Sequence, residues 1–135
     1  MGTRRKAREA ALQILYQVDL SKLDPKEAMQ LFWKNHSSIP EVEEFAYQIV
    51  EGVVRNRLEI DRLVEQHSTH WKLSRMTCVD RNILRIAVYE LMYCHDIPAS
   101  VSLNEAIEIG KKFGTEDSGS FINGVLDNIA KELKP

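Results

Sequence analysis

Thr77–Cys94, TCVDRNILRIAVYELMYC, reads as one buried helix, and the rest of the chain must pack around it. Thr77 is placed to cap its start, and Asp80, three residues on, to reach back to the cap's amide. Val79, Ile83, Ile86, Ala87, Met92 and Cys94 fall on different sides of the cylinder, with Leu84, Val88 and Leu91 between them. A helix apolar nearly all round belongs in the middle of a bundle. The stretch is too short to span a membrane and is interrupted by Arg81, Arg85 and Glu90.

Outward from this helix, every other segment also reads as helical. The first helix is expected from about Arg4 to Leu20, with Ala7, Ala11, Ile14, Leu15 and Val18 on one face. Asp24-Pro25-Lys26-Glu27 is a helix start: a cap, Pro at the first position and an acid in the first turn. That second helix ends near Asn35-His36. Ser38 with Glu41 forms a further capping signature, opening a long third helix to about His67. Gly52, in its middle, marks a close crossing at some cost in propensity. His67-Ser68-Thr69-His70 divides the chain into halves of about 1–68 and 69–135, and a short turn at Trp71–Arg75 leads into the central helix. Ile97-Pro98 ends that helix. Ser102 and Glu105 offer the next capping box, with Ser100 as an earlier start, and Leu103, Ala106, Ile107 and Phe113 as apolar positions. The last helix, from about Asp117 to Leu133, carries the stripe Phe121, Ile122, Val125, Leu126, Ile129, Leu133. No period-two strand appears. The expected fold is all-α, a single domain of about seven helices in two packed halves.

At 135 residues the chain suffices for one domain with a substantial core. No apolar run suited to a signal peptide follows the basic start, so a cytoplasmic protein is expected. Cys78 and Cys94 lie sixteen positions apart on one helix, about 24 Å by the helical rise, and cannot bridge. Reduced, buried thiols are expected. His67 and His70 share a helical spacing, but no Cys, Asp or Glu completes a zinc set, so no metal is expected.

The net charge of −2 hides an asymmetry. Four of the 18 basic side chains, Arg4, Arg5, Lys6 and Arg8, fall in the first eight residues, where there is no acid. They occupy the helix end at which the macrodipole is already positive. An anionic partner reverses the sign of that cost, so the cluster reads either as a phosphate-binding segment or as a solvated tail. The second irregular stretch is Gly114-Thr115-Glu116-Asp117-Ser118-Gly119-Ser120-Phe121, polar, glycine-bearing and opening a helix. It mimics P-loop spacing, but Ser120-Phe121 stands where Lys-Ser/Thr is needed, and a helix precedes it instead of a strand. Its acids suit the helix dipole, or serve as acceptors for base amino groups. Lys111-Lys112 suits the C-terminal dipole of the preceding helix. No catalytic constellation, dinucleotide fingerprint or cofactor motif is present in the sequence.

RRKAREAALQILYQ at the start, DRNILRIAVYEL, and NEAIEIGKKFGTEDSGSFINGVLD, in this order and spacing, resemble the bacterial transcription antitermination factor NusB family over nearly the whole chain. Residues 22–75 match less distinctively. The resemblance implies an all-helical protein of two packed subdomains that is not an enzyme and needs no cofactor. It implies binding of boxA RNA in nascent transcripts, especially of ribosomal RNA operons, together with NusE, the small-subunit ribosomal protein. RNA polymerase and other Nus factors complete the complex it implies. By motif position, Arg4, Arg5, Lys6 and Arg8 would contact RNA phosphates. Lys111, Asp117, Ser118 and Phe121 match a second RNA-facing patch, with Phe121 stacking on a base. Tyr16, Asp80 and Glu90 fall in segments on the NusE side. Gly119-Ser120 stands where some relatives carry bulkier, often charged residues, which implies a softer grip by this loop.

With so few cations, weak RNA binding by the single chain and tight binding with NusE are expected. Two other readings compete. One is a NusB-like RNA-binding module of an rRNA methyltransferase system, against which the end at Lys134-Pro135 argues. The other is a helical protein–protein adaptor whose basic arm only aids solubility. An apolar patch that serves NusE would also serve a homodimer.

Overall fold

The computed structural model describes residues 2–68 and 72–133. Among them are seven α-helices and one 3-10 turn: α1 (Thr3–Ser21), α2 (Pro25–Asn35), α3 (Pro40–Arg55), α4 (Arg57–Gln66), the turn Leu73–Arg75, α5 (Cys78–Tyr93), α6 (Ala99–Phe113) and α7 (Ser118–Leu133). The all-α class and the helix number are those expected from the sequence. His70, Trp71 and the Lys134-Pro135 end lie outside the described residues.

α5 is the axis of the molecule. It packs against α1, α3, α4, α6 and α7, and every residue from Asn82 to Leu91 is buried. The Thr77 hydroxyl accepts the Asp80 N–H at 3.1 Å, so the cap forms as expected. The return half of the capping box does not: Asp80 is buried, and among the described residues its Oδ1 has no hydrogen-bond partner. The polar residues that interrupt the helix tie it to its neighbours. Arg85 donates to Asp61 of α4 at 2.8 and 3.1 Å and to Asp19 of α1 at 3.2 Å, while Arg81 donates to Asp19 at 2.9 Å. Burial alone would raise the Asp19 pKa. Hydrogen bonds from Arg81 and Asn82, with the charges of Arg85 and Arg81, outweigh it and hold that carboxyl at about 2.

One continuous apolar cluster runs through all seven helices. Leucine, isoleucine and valine side chains that are fully buried there each contribute roughly 1.5–3 kcal/mol. Gly52 lets α3 approach α5: a Cβ at this position would run into the Tyr89 ring. Gly110 does the same for α6 and α7, where a Cβ would come within 2.7 Å of Ile122 Cδ1. Among the described residues no helix is long and apolar enough to cross a membrane.

Three local expectations are corrected. The long third helix is two helices, α3 and α4, broken at Asn56 (φ −109°, ψ 21°), whose side-chain amide donates to the Gly52 carbonyl at 2.8 Å. Ser38 does not cap α3; Ile39 precedes Pro40 at the first position, and no side chain caps the end. Ser102 and Glu105 are not a capping box either. α6 starts at Ala99, and both residues lie inside it with partners on other helices. The buried face of α6 is Ser102, Ala106, Ile109 and Gly110, which leaves Phe113 at the surface.

Candidate nucleic-acid interface

α1 begins at Gly2 with no side-chain cap and no acid in its first turn. Three of its four cations are met instead by acids from other elements. Arg4 reaches Asp96, in the α5–α6 connection, at 3.2 Å. Arg5 donates twice to Glu105 of α6, once at 2.7 Å through Nε and once through Nη2. Arg8 donates to both oxygens of Glu90 on α5, at 2.7 and 2.9 Å, and at 3.2 Å to Glu105. Ser102 donates its hydroxyl to Glu90 at 2.7 Å, completing that carboxylate's set. The Arg4 and Arg8 guanidiniums also lie over the Phe45 ring, at 4.8 and 5.6 Å. Among the described residues Lys6, which is exposed, is the one cation of this cluster with no acid against it.

Two of the expected contacts are therefore corrected. Arg8 is 3% exposed and Glu90 2%. A side chain sealed between α1 and α5 offers nothing to a phosphate or to a partner protein. Arg8 belongs to the interior ion pair, and Glu90 is its acceptor rather than part of an outer face. Arg4, Arg5 and Lys6 remain at the surface, fully or in part.

α6 carries the second patch. Lys112, in its last turn, reaches back to Glu9 of α1 at 3.1 and 3.2 Å, while Lys111 pairs with Glu108 at 3.3 Å. Long side chains thus bridge α1 and α6, and the loop leading into α7 continues from the end of α6. The Ser118 hydroxyl accepts the Thr115 N–H at 2.8 Å and is 1% exposed. That corrects its expected role: Ser118 shapes the loop and does not face outward. Asp117 is exposed. The Phe121 ring is half-buried, packed in part on the core, with its remaining face in a cleft.

That cleft, of about 220 Å³, lies between the start of α5 and the loop before α7. Arg75, Thr77, Asp80, Thr115, Asp117 and Phe121 line it. It joins two carboxylates, two hydroxyls, a guanidinium and an aromatic ring. Carboxylates accept from base amino groups, and a ring gives a base something to stack on. The unpartnered Asp80 oxygen is itself enclosed, an acceptor whose desolvation no donor among the described residues offsets. Asp80 is thus brought together with Asp117 and Phe121. Tyr16 lies elsewhere, in an apolar groove of about 670 Å³ between α1, α2 and the start of α5, with Leu12, Leu31, Phe32 and Val79. Asp80 and Val79 are adjacent in the chain, so the groove and the cleft flank the same helix start. Glu90, deep in α5, joins neither.

Sequence reasoning missed Arg75 and Thr115 as cleft residues and Glu105 as the partner of Arg5. No local signal marks them, because each acts through an element distant in the chain. His67 lies 2.9 Å from Glu132 of α7. Among the described residues no group of three or more metal-ligating side chains converges.

Comparison with known proteins matches this arrangement to one family. The model of the NusB family matches residues 5–131. The transcription antitermination protein NusB of Desulfatibacillum aliphaticivorans is 54% identical over 133 residues, covering 98% of this chain and 93% of that protein. The solved structure of T. maritima NusB superposes with a TM-score of 0.90 at 39% identity, over 98% of this chain and 93% of that one. A crystal structure of antitermination factors NusB and NusE in complex with dsRNA superposes with a TM-score of 0.86 at 32% identity, over 96% of this chain and 97% of that one. A match of this extent, in sequence and in the course of all seven helices, makes the chain a member of the NusB family.

Proposed function

We propose that this chain is a transcription antitermination factor, a binding protein rather than an enzyme. In this reading it binds boxA RNA of nascent transcripts, especially of ribosomal RNA operons, together with NusE, in the cytoplasm of a bacterium. RNA polymerase and other Nus factors complete the assembly. The observation that carries the reading is family membership over residues 5–131, joined to a solved NusB–NusE–dsRNA complex of the same fold.

The geometry supports a division of labour. Lys6, with the outer edges of Arg4 and Arg5, supplies charge at the start of α1. Asp117 and Phe121 supply polar and stacking contacts at the cleft, and Lys111, at the end of α6 beside Gly119, adds charge. Charge gives affinity that salt weakens, and base contacts give selectivity. Tyr16 and Asp80, at the groove and cleft flanking the start of α5, are assigned to NusE.

The test is a titration of boxA RNA and of a scrambled RNA, with and without NusE, at two salt concentrations. NusE is expected to strengthen binding to boxA selectively, and added salt to weaken it. Tight, boxA-selective binding by the single chain that NusE leaves unchanged would sink the coupling. Absence of binding to either RNA in every condition would sink the RNA reading itself.

A further inference from the structure

Of the cations at the start of α1 and the end of α6, all but Lys6 hold an acid of this chain among the described residues. The three pairs at the start of α1 differ in what an incoming phosphate can do to them. Arg4 and Asp96 are 51% and 69% exposed and sit in water, where such a pair exchanges freely. Arg8 and Glu90 are 4% and 1% exposed and are closed to any ligand. Arg5 and Glu105 lie between these extremes, at 29% and 15%. Their geometry is fixed, yet the edge of the Arg5 guanidinium is open to solvent.

We propose that Glu105 is an internal competitor of RNA phosphate for Arg5, and that it sets how weakly the chain alone grips RNA. The proposal rests on the RNA-binding reading above. A carboxylate and a phosphate use the same fork of a guanidinium, through parallel N–H donors. Glu105 occupies Nε and Nη2 of Arg5, the pair best suited to that use. It is anchored from beneath by Arg8 Nη1 at 3.2 Å, so it does not swing away when a phosphate approaches. The hydrogen bond from Arg5 holds the Glu105 carboxyl below the usual carboxylate range despite its burial, so it is ionised at neutral pH. The docking of α1 does not need this pair, because Arg8, Glu90 and Ser102 already join α1, α5 and α6. Releasing Arg5 therefore adds one phosphate contact to those of Lys6 and Arg4.

The experiment uses the full chain and a fluorescein-labelled single-stranded RNA carrying boxA, titrated across a range of salt without NusE. Glu105→Gln is expected to tighten binding about threefold to tenfold at low salt. One more phosphate contact also steepens the dependence of log K on log salt by about 0.7. Arg5→Gln is expected to cost less than twofold in the parent chain and to erase the whole gain in the Glu105→Gln chain. A gain that survives Arg5→Gln, or is matched by Glu108→Gln on the same helix, is a general charge effect and overturns the proposal. Unchanged or weaker binding by a folded Glu105→Gln chain overturns it too, making Glu105 a positioning residue for Arg5. If that variant melts early, Glu105→Asp keeps the charge and shortens its reach, and the Arg5-dependent gain must still appear. Binding of boxA RNA with NusE present, alongside no Glu105 effect, leaves the RNA reading standing and removes only this proposal. Absence of RNA binding by every chain, with or without NusE, removes both.

Discussion

The Arg8 guanidinium meets the Glu90 carboxylate through two parallel hydrogen bonds, of 2.7 and 2.9 Å, with the two side chains 4% and 1% exposed. Removing one partner strands the other charge out of water. Glu90→Ala is therefore expected to destabilise the chain by about 3–5 kcal/mol. An apolar pair, Arg8→Met with Glu90→Leu, is expected to cost less than either single loss, because neither charge is then left unmatched. Urea unfolding of the three chains checks this. A Glu90→Ala chain within 1 kcal/mol of the parent, by that same scale, removes the argument.

Gly52 faces the Tyr89 ring with no room for a methyl group. Gly52→Ala gains about 1 kcal/mol in helix propensity and loses about 1–3 kcal/mol to overpacking. The net expectation is destabilisation, which Tyr89→Leu in the same chain partly relieves. A thermal melt in which Gly52→Ala is more stable than the parent contradicts the crossing described here.

Asp19 contributes a pH-dependent part of the stability. Its folded pKa, about 2, lies below the ordinary 3.8. The group therefore stabilises the fold above the unfolded value and loses that contribution as pH falls through the folded one. Asp19→Asn is expected to cost roughly 2 kcal/mol at pH 7, by the size of that shift. The gap between the two chains should close between about pH 4 and pH 2. Denaturation midpoints measured across that range decide the point. A gap constant to pH 2 assigns the cost to packing instead.

Charge and selectivity should separate by residue. Lys6→Gln is expected to weaken boxA and scrambled RNA alike, and to reduce the salt slope by about 0.7. Phe121→Ala is expected to remove about 1–3 kcal/mol of stacking, with the loss falling mainly on boxA. Because the ring is half-buried, Phe121→Leu serves as the control that fills the core without offering a π-face. Equal loss of both RNAs in Phe121→Ala would return Phe121 to a purely structural role.

The helices that the sequence announces most clearly are those governed by neighbours in the chain. Asp24 with Pro25, and Thr77 before α5, act within a turn of themselves, and both caps form. The break at Asn56 leaves no trace in the apolar pattern, since Val53 and Ile60 are seven residues apart and stay on one face across it. Ser102 and Glu105 have capping-box spacing, yet their partners sit 12 and 100 positions away. The same distance hid the fate of the basic cluster. Four cations with no acid among the first eight residues look free, and three of them are met by acids that only the fold brings close.

That separation along the chain also fixes an order of events during synthesis. Arg8 leaves the ribosome 82 residues ahead of Glu90, and Arg5 a hundred ahead of Glu105. Until α5 and α6 have emerged, Arg5 and Arg8 lack the carboxylates that hold them in the finished fold. The completed fold withdraws Arg8 for good and leaves Arg5 half claimed. Translation thus turns a basic segment into a surface whose charge is largely paired with the chain's own carboxylates.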